Sequence, residues 1–242
     1  MRSWQWSLGL TLLCSCSFDT STPVIVAATD AAPLVIPDAE LPCGALWATY
    51  RDFRADHPDM QRQVGSLKGL VENRLGADNK PVYAPAGSTP VTEGRESFDQ
   101  WYRDVEGTNL SFQEPLVLSE VRPGTFVYEN NEFFPLDGRG FPEERDGHNF
   151  HFTTEVYGTF VYRGGEQFTF AGDDDVFVFV NKNLAIDLGG VHGVEMANVD
   201  FDSQAATLGI EIGETYTLNI FHAERHTSES NFRIETTIDC VQ

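Results

Sequence analysis

From about Leu116 onward, short runs rich in Val, Phe, Tyr, Thr and Ile alternate with turns built from Gly, Asp and Asn. Runs of this kind, bounded by turn formers, read as β-strands. The clearest are Leu116–Leu118, Val156–Tyr162, Gln167–Ala171, Val176–Val180, Leu184–Asp187, Tyr216–His222 and Asn231–Ile238. Leu41–Tyr50 reads as a first strand. Two stretches behind it have helical spacing instead: Gln61–Leu75, and Ser97–Asp104 with Phe98, Trp101 and Tyr102 on one face. No stretch repeats at a fixed period. Many short strands at close intervals predict a mainly β chain, an antiparallel β-sandwich with one or two short helices. Its 18 phenylalanines supply much of the core between the sheets.

The first 40 residues follow a different pattern. Arg2 provides a short positive start and Leu8 to Leu13 a short apolar run, too short for the roughly 20 residues a bilayer span needs. Leu13-Cys14-Ser15-Cys16 then resembles a bacterial lipobox, with cleavage before Cys16 and a lipid on its thiol. Ser17 after that cysteine resembles the outer-membrane sorting pattern. The expectation is a leader over residues 1–15, a flexible Thr/Ala/Pro/Asp-rich tether over 16–40, and one domain over 41–242. Export leaves Cys43 and Cys240 as an even pair in an oxidising compartment, which implies a disulfide joining the two ends of the domain.

Charge narrows the class of partner. The chain carries −21 at pH 7, and loss of the leader with Arg2 makes this −22. A surface so acidic repels nucleic acid and anionic membrane, and suits cations and neutral partners such as glycans. Membrane association is then expected only through a lipid anchor.

The densest candidate chemistry is Gly172-Asp173-Asp174-Asp175, set between two apolar strands. Three successive carboxylates are either fully solvated or hold a cation, and calcium takes six to eight hard oxygen ligands. Asn181, Asn183, Asp187, Glu224 and Asn231 are further oxygen donors near strand ends. A solvated Asp-rich turn is the plainer reading of the triplet. His148, His151, His192, His222 and His226 form a second signal, open to a transition metal or to hydrogen-bonded turns. An ion pair of Arg225 with Asp187 or Glu224 would clamp a loop. Neither H-E-x-x-H nor G-x-S-x-G is present, and no pair of acids is singled out for glycoside hydrolysis, so the chain is read as a non-enzyme.

Ordered blocks along the chain resemble the fibro-slime branch of the PA14 superfamily. They include Thr49 to Phe53, His57-Pro58-Asp59, Phe98 to Asp104, Phe133 to Asp137, and His148 to Thr153. Gly172 through Gly193, Phe221 to Thr227 and Ser230-Asn231-Phe232 complete the set. The resemblance implies a PA14-like jelly roll of the kind found in adhesins, toxins and glycan-acting proteins. Its lectin members bind calcium through two adjacent aspartates joined by a cis peptide, with an Asn on a second loop, and the ion bridges to sugar hydroxyls. Asp173 and Asp174 match the aspartate pair, while Glu224 stands where the lectin members carry Asn. The resemblance thus implies calcium held by Asp173 and Asp174, with Glu224 as a substitute oxygen ligand; Asn181 at the end of the next strand joins this expected set by its position, and Asp175, His192 and His222 are expected beside the ligand. The expected function is calcium-dependent recognition of a glycan or extracellular polysaccharide at the cell surface. The alternatives are a structural slime component that binds no sugar, and a carbohydrate-acting enzyme.

Overall fold

A computed structural model describes residues 43–142 and 146–241. The proposed leader, the lipidation site Cys16 and the tether lie outside the described residues. Among these described residues, thirteen strands and two short helices follow in chain order. The first three strands are β1 (Ala45–Phe53), β2 (Gly65–Ser66) and, after helix α1 (Arg95–Phe98), β3 (Asn109–Val117). Next come β4 (Ser119–Arg122), β5 (Thr125–Asn130), β6 (Phe152–Val161), β7 (Gln167–Gly172), β8 (Asp175–Val180), β9 (Asn183–Leu188), β10 (Gly190–Val191) and β11 (Glu195–Asp200). Helix α2 (Phe201–Leu208), β12 (Thr215–Glu224) and β13 (Phe232–Thr236) complete the chain.

The strands form a six-stranded sheet, β3-β1-β6-β12-β8-β9, and a five-stranded sheet, β11-β7-β13-β5-β4, with every pairing antiparallel. This is the sandwich the alternating runs predict. Between the sheets lie Leu46, Ala48 and Tyr50 of β1, Val176, Val178 and Val180 of β8, Phe168 and Phe170 of β7, and Phe232 and Ile234 of β13. Phe133 stacks on Phe232 with ring centroids 4.5 Å apart.

β8 is buried along its whole length. Successive strand residues point to opposite faces. Its valines therefore enter the inter-sheet core, while Phe177 and Phe179 enter a second cluster on the outer face of the same sheet. That cluster is roofed by Leu70, Val71, Tyr83, Phe98, Trp101 and Tyr102, all from the long insertion between β1 and β3. A strand covered on both faces needs a continuous apolar run, which is what residues 176–180 provide.

The helices differ from expectation. Residues 61–75 are not helical; Gly65–Ser66 pairs with Gly190–Val191 instead, and Leu67 donates its N–H to the Gly189 carbonyl at 2.6 Å. Backbone donors committed to a strand partner cannot close helical turns. Around Ser97–Asp104 the helix shrinks to α1, continued by turns in which Gln100 and Trp101 donate to Ser97 and Phe98. Helix α2 was not expected. Asp200 caps its start by accepting from Ser203 N–H at 3.0 Å, and Gly209 ends it at φ 65°.

The expected disulfide is present, Cys43 to Cys240, with Cα atoms 4.9 Å apart across 197 residues of sequence. It marks one pole of the sandwich. β1 starts beside it at Ala45 and runs to Phe53, where Asp52 pairs with Phe152 and Phe152 with Glu224. At about 3.3 Å per residue, β1 carries the chain roughly 26 Å from the disulfide to the opposite pole. The aspartate loop sits at that opposite pole.

A carboxylate cleft at the pole opposite the disulfide

The loop between β7 and β8 is made sharp by close packing. A Cβ at Gly172 would lie 2.4 Å from the Asn231 carbonyl oxygen, so only glycine fits there. Asp174 then takes φ 53°, a left-handed conformation that Asp tolerates better than most residues. No cis peptide occurs among the described residues, so the Asp173–Asp174 link is trans, unlike the link that the resemblance implies.

Each aspartate has its own partners. Both carboxylate oxygens of Asp173 accept from Asn231, one from its backbone N–H at 2.5 Å and the other from its side-chain amide at 2.8 Å. Asp174 accepts from the backbone N–H groups of His192 at 3.2 Å and Arg225 at 2.8 Å. Asp175 accepts from Gly190 N–H at 2.6 Å and from the Arg225 Nε at 2.7 Å. The second guanidinium arm, Nη2, also lies 2.5 Å from Asp175. Arg225 is fully buried and its guanidinium lies 4.5 Å from the Trp101 ring centroid. Its clamp therefore falls on Asp175, not on Asp187 or Glu224. Asp187 instead accepts from the N–H groups of Gly69 and Gly189.

Glu224 ends β12 beside this loop, 1% exposed. Its Oε2 has no hydrogen-bond partner, and its Oε1 receives a long bond of 3.4 Å from His226 N–H. The neighbouring Ser230 hydroxyl donates to the Phe133 carbonyl at 2.7 Å and also lies against the Glu224 carboxyl, where it favours the charged form. Burial, then the charges of Asp174 and Asp173, push the Glu224 carboxyl well above its usual range. Burial likewise raises Asp174 to about 7, with Asp175 adding to the rise and Arg225 opposing it. Four buried carboxylates thus face one guanidinium.

Asp173 and Asp174 line a cleft of about 60 Å³ together with Val64, Val191, His192, Gly193, His226, Ser228 and Glu229. The site residues named from sequence divide here. Asp173, Asp174, Asp175, Glu224, His192 and His222 come together. Asn181 does not: it lies just past the far end of β8, roughly 20 Å from Asp175 at 3.3 Å per residue. There its side chain donates to the Leu208 and Gly209 carbonyls and holds the end of α2. Position after a strand suggested a rim donor, but it is the rim of the other pole.

The histidines do not assemble into a metal cage. His222 is fully buried, its Nε2 facing the Asp173 carbonyl at 3.1 Å, and burial lowers its pKa to about 3. The ring nitrogens of His192 face the Gly193 and Leu188 carbonyls. His148 bonds Asp137 at 2.6 Å, and His151 bonds Gln61 at 2.8 Å. Among the described residues, no three His, Cys, Asp or Glu side chains converge as a preformed ligand set. Sequence reasoning missed Val64, Ser228 and Glu229, which line the cleft, and the Asp59–Trp101–Arg225 support behind it. The signal for the support was the run Glu224-Arg225-His226, where a cation directly follows the buried acid.

Comparison with known proteins adds to this picture. Residues 128–240 match the model of the PA14 domain. Protein psiD of Dictyostelium discoideum is 40% identical over 190 residues, covering 72% of this chain and 37% of its own length. Protein psiC of the same organism is 37% identical over 214 residues, covering 80% of this chain and 41% of its own. Protein psiQ, also from that organism, is 40% identical over 203 residues, with 78% and 20% covered. The chain therefore spans well under half the length of these relatives. Among solved structures, the PA14 sugar-binding domain from an RTX adhesin aligns with a TM-score of 0.35 at 9% identity, covering 80% of this chain and 89% of that one. The PA14 domain of the MpAFP antifreeze protein aligns with a TM-score of 0.30 at 10% identity, covering 81% and 84%. The matched stretch takes in β6 to β13 and the aspartate loop, while β1, β3 and β4 of the same sandwich precede it, and over 128–240 this chain is similar to the PA14 domain.

Proposed function

We propose that this domain is a cell-surface recognition module that holds calcium at the Asp173–Asp174 loop and uses it to bind a glycan or extracellular polysaccharide. One observation carries the reading: a buried carboxylate oxygen of Glu224 without a hydrogen-bond partner, near the charges of Asp173 and Asp174, which themselves line the cleft. A buried charge left without a partner is costly, and a divalent cation removes that cost. Asp173, Asp174 and Glu224 are the residues that would hold the ion. Their oxygens are hard donors of the type calcium takes, and each carboxylate oxygen keeps a lone pair beyond the bond it already accepts. Water or sugar hydroxyls would complete the shell. Asn181 is not part of this set.

Placement supports presentation to a partner. The described chain enters and leaves at the disulfide pole, and the cleft opens at the other, so an export-dependent lipid anchor at Cys16 would leave the cleft facing outward. Among the described residues no helix is long and apolar enough to cross a membrane. The reading is of a binding module, and the aspartates of the loop are committed as acceptors: Asp173 and Asp174 hold amides, and Asp175 an amide and a guanidinium.

The test is retention of the disulfide-bonded domain on a glycan array in calcium and in chelator, beside the Asp173→Ala/Asp174→Ala variant. Calcium-dependent retention lost in the variant is the expected result. Calcium binding without any retained glycan would favour the structural slime role instead.

A further inference from the structure

The insertion between β1 and β3 supplies one wall of the cleft, and nothing in the aspartate loop itself accounts for it. Val64 lines the cleft opposite His192 and Gly193 and is 61% exposed. The segment around it is stitched to the strand leaving β9. Gly65 pairs with Val191, Ser66 with Gly190, and Val64 bridges Val191 in parallel. The approach is tight: a Cβ on Gly190, at φ 111°, would meet the Gly65 carbonyl oxygen at 2.3 Å and Leu67 N at 2.6 Å. Ser66 Oγ also bonds the Glu195 carboxylate.

The same insertion is fixed from behind by Arg225. The Arg225 carbonyl accepts from Gln61 N–H at 2.9 Å, and Nη1 donates to the carbonyls of Asp59 at 2.9 Å and Val91 at 2.6 Å. Its own N–H goes to Asp174 and its other guanidinium arms to Asp175. One buried residue therefore holds the carboxylate loop and both stems of the insertion that carries Val64.

We infer that segment 61–67 is a ligand-selecting wall of this cleft, with Val64 its contact residue and Arg225 the positioning residue that sets it against the ion loop. This rests on the glycan reading above. An exposed apolar side chain beside an ion that takes hydroxyls suits a neutral sugar, which presents hydroxyls on one edge and a C–H face on another. Glu229 on the rim, with Asp173, Asp174 and Glu224 behind, repels uronates and other acidic sugars even after one divalent ion is bound.

The experiment uses the whole disulfide-bonded chain, with three readouts: calcium affinity by chelator competition, retention on an array of neutral and acidic glycans, and amide exchange over 61–67. Val64→Asp is expected to keep calcium affinity within about twofold and to lose about tenfold or more of neutral-glycan retention, the range one apolar contact discriminates. Val64→Phe is expected to reorder the array profile at the same calcium affinity. Arg225→Lys keeps a cation beside Asp175 but lacks the planar fork that also reaches Asp59 and Val91. It is expected to raise amide exchange over 61–67 and lower glycan retention while calcium still binds. Wild-type glycan binding with an unchanged profile in both Val64 variants overturns the wall alone. Loss of calcium in Val64→Asp also overturns it, since the segment would then merely support the loop. A wild-type chain that binds calcium but no glycan overturns the glycan reading, and the selecting wall with it.

Discussion

Replacing Asp174 with Asn separates an ion-binding loop from a merely structural one, because the two roles give opposite signs without calcium. Burial lifts the Asp174 carboxyl from 3.8 to about 7 in the folded protein. Each pKa unit is worth about 1.4 kcal/mol, so ionising this group in place costs roughly 4 kcal/mol at pH 8. Asn removes the charge but has one acceptor oxygen where Asp has two. One of the N–H groups of His192 and Arg225 then loses its partner, at about 1–3 kcal/mol. The balance leaves Asp174→Asn more stable than wild type in chelator by roughly 1–3 kcal/mol, or several degrees of Tm for a domain this size. Calcium at 100 times its Kd should add about 2.7 kcal/mol to the wild type and little to the variant. Calcium therefore closes the gap between the two melting curves, and reverses their order wherever the chelator gap is below about 2.7 kcal/mol. The pH dependence follows with a definite sign. A carboxyl whose folded pKa is raised favours folding most below about pH 4, and that advantage is lost as pH rises through about 7. The gap between variant and wild type in chelator should accordingly close as pH falls from about 7 to 4. Thermal melts at pH 5 and pH 8, with and without calcium, measure all of this. A variant lowered by the same amount in both media would refute the reasoning and leave Asp174 a structural hydrogen-bond acceptor.

Removing the Cys43–Cys240 disulfide by paired Ser substitutions opens a loop of 197 residues, worth about 5 kcal/mol in the chain-entropy model, and denaturant unfolding should register most of it. Arg225→Met leaves Asp175 buried without its counter-charge, an expected loss of about 3–5 kcal/mol in urea unfolding. Adding Asp175→Asn should recover more than half of that loss, and no recovery would mean that the Asp59 and Val91 contacts dominate. Asn181→Gly keeps the φ of 49° available while deleting two bonds to the end of α2. It should cost about 1–2 kcal/mol of stability and leave calcium affinity unchanged in a chelator competition.

Strand pattern and poles were readable from sequence because their causes are local. Val176 to Val180 had to be a strand, and the two cysteines had to meet once export was assumed. Failures arose where tertiary partners overrode local spacing. Leu67, Leu70, Val71 and Leu75 recur at helical intervals, yet they roof the Phe177–Phe179 face while the backbone at Gly65–Ser66 pairs with Gly190–Val191. Helix α2 was missed for the opposite reason. It buries only Phe201 and Leu208, too few positions to print a period, although its Asp200 cap and Gly209 stop were both in view.

The candidate site shows the same division. Oxygen donors can be counted in a sequence, but their counter-charge cannot be located there, because the partners of Asp175 come from Arg225, 50 residues on, and from Gly190. Structure divides the triplet by partner. Asp175 has a guanidinium in direct contact, Asp173 and Asp174 accept only from amides, and one oxygen of Glu224 has no partner. Three carboxylates therefore lack a cation in contact, although Arg225 still attracts Asp174, and the fourth is already paired from behind. An external ion has a reason to bind at the first group and none at the second. That asymmetry, and not the run of three aspartates, is the physical argument for calcium in this protein, and the ranking of Asp174 over Asp175 in any metal titration follows from it.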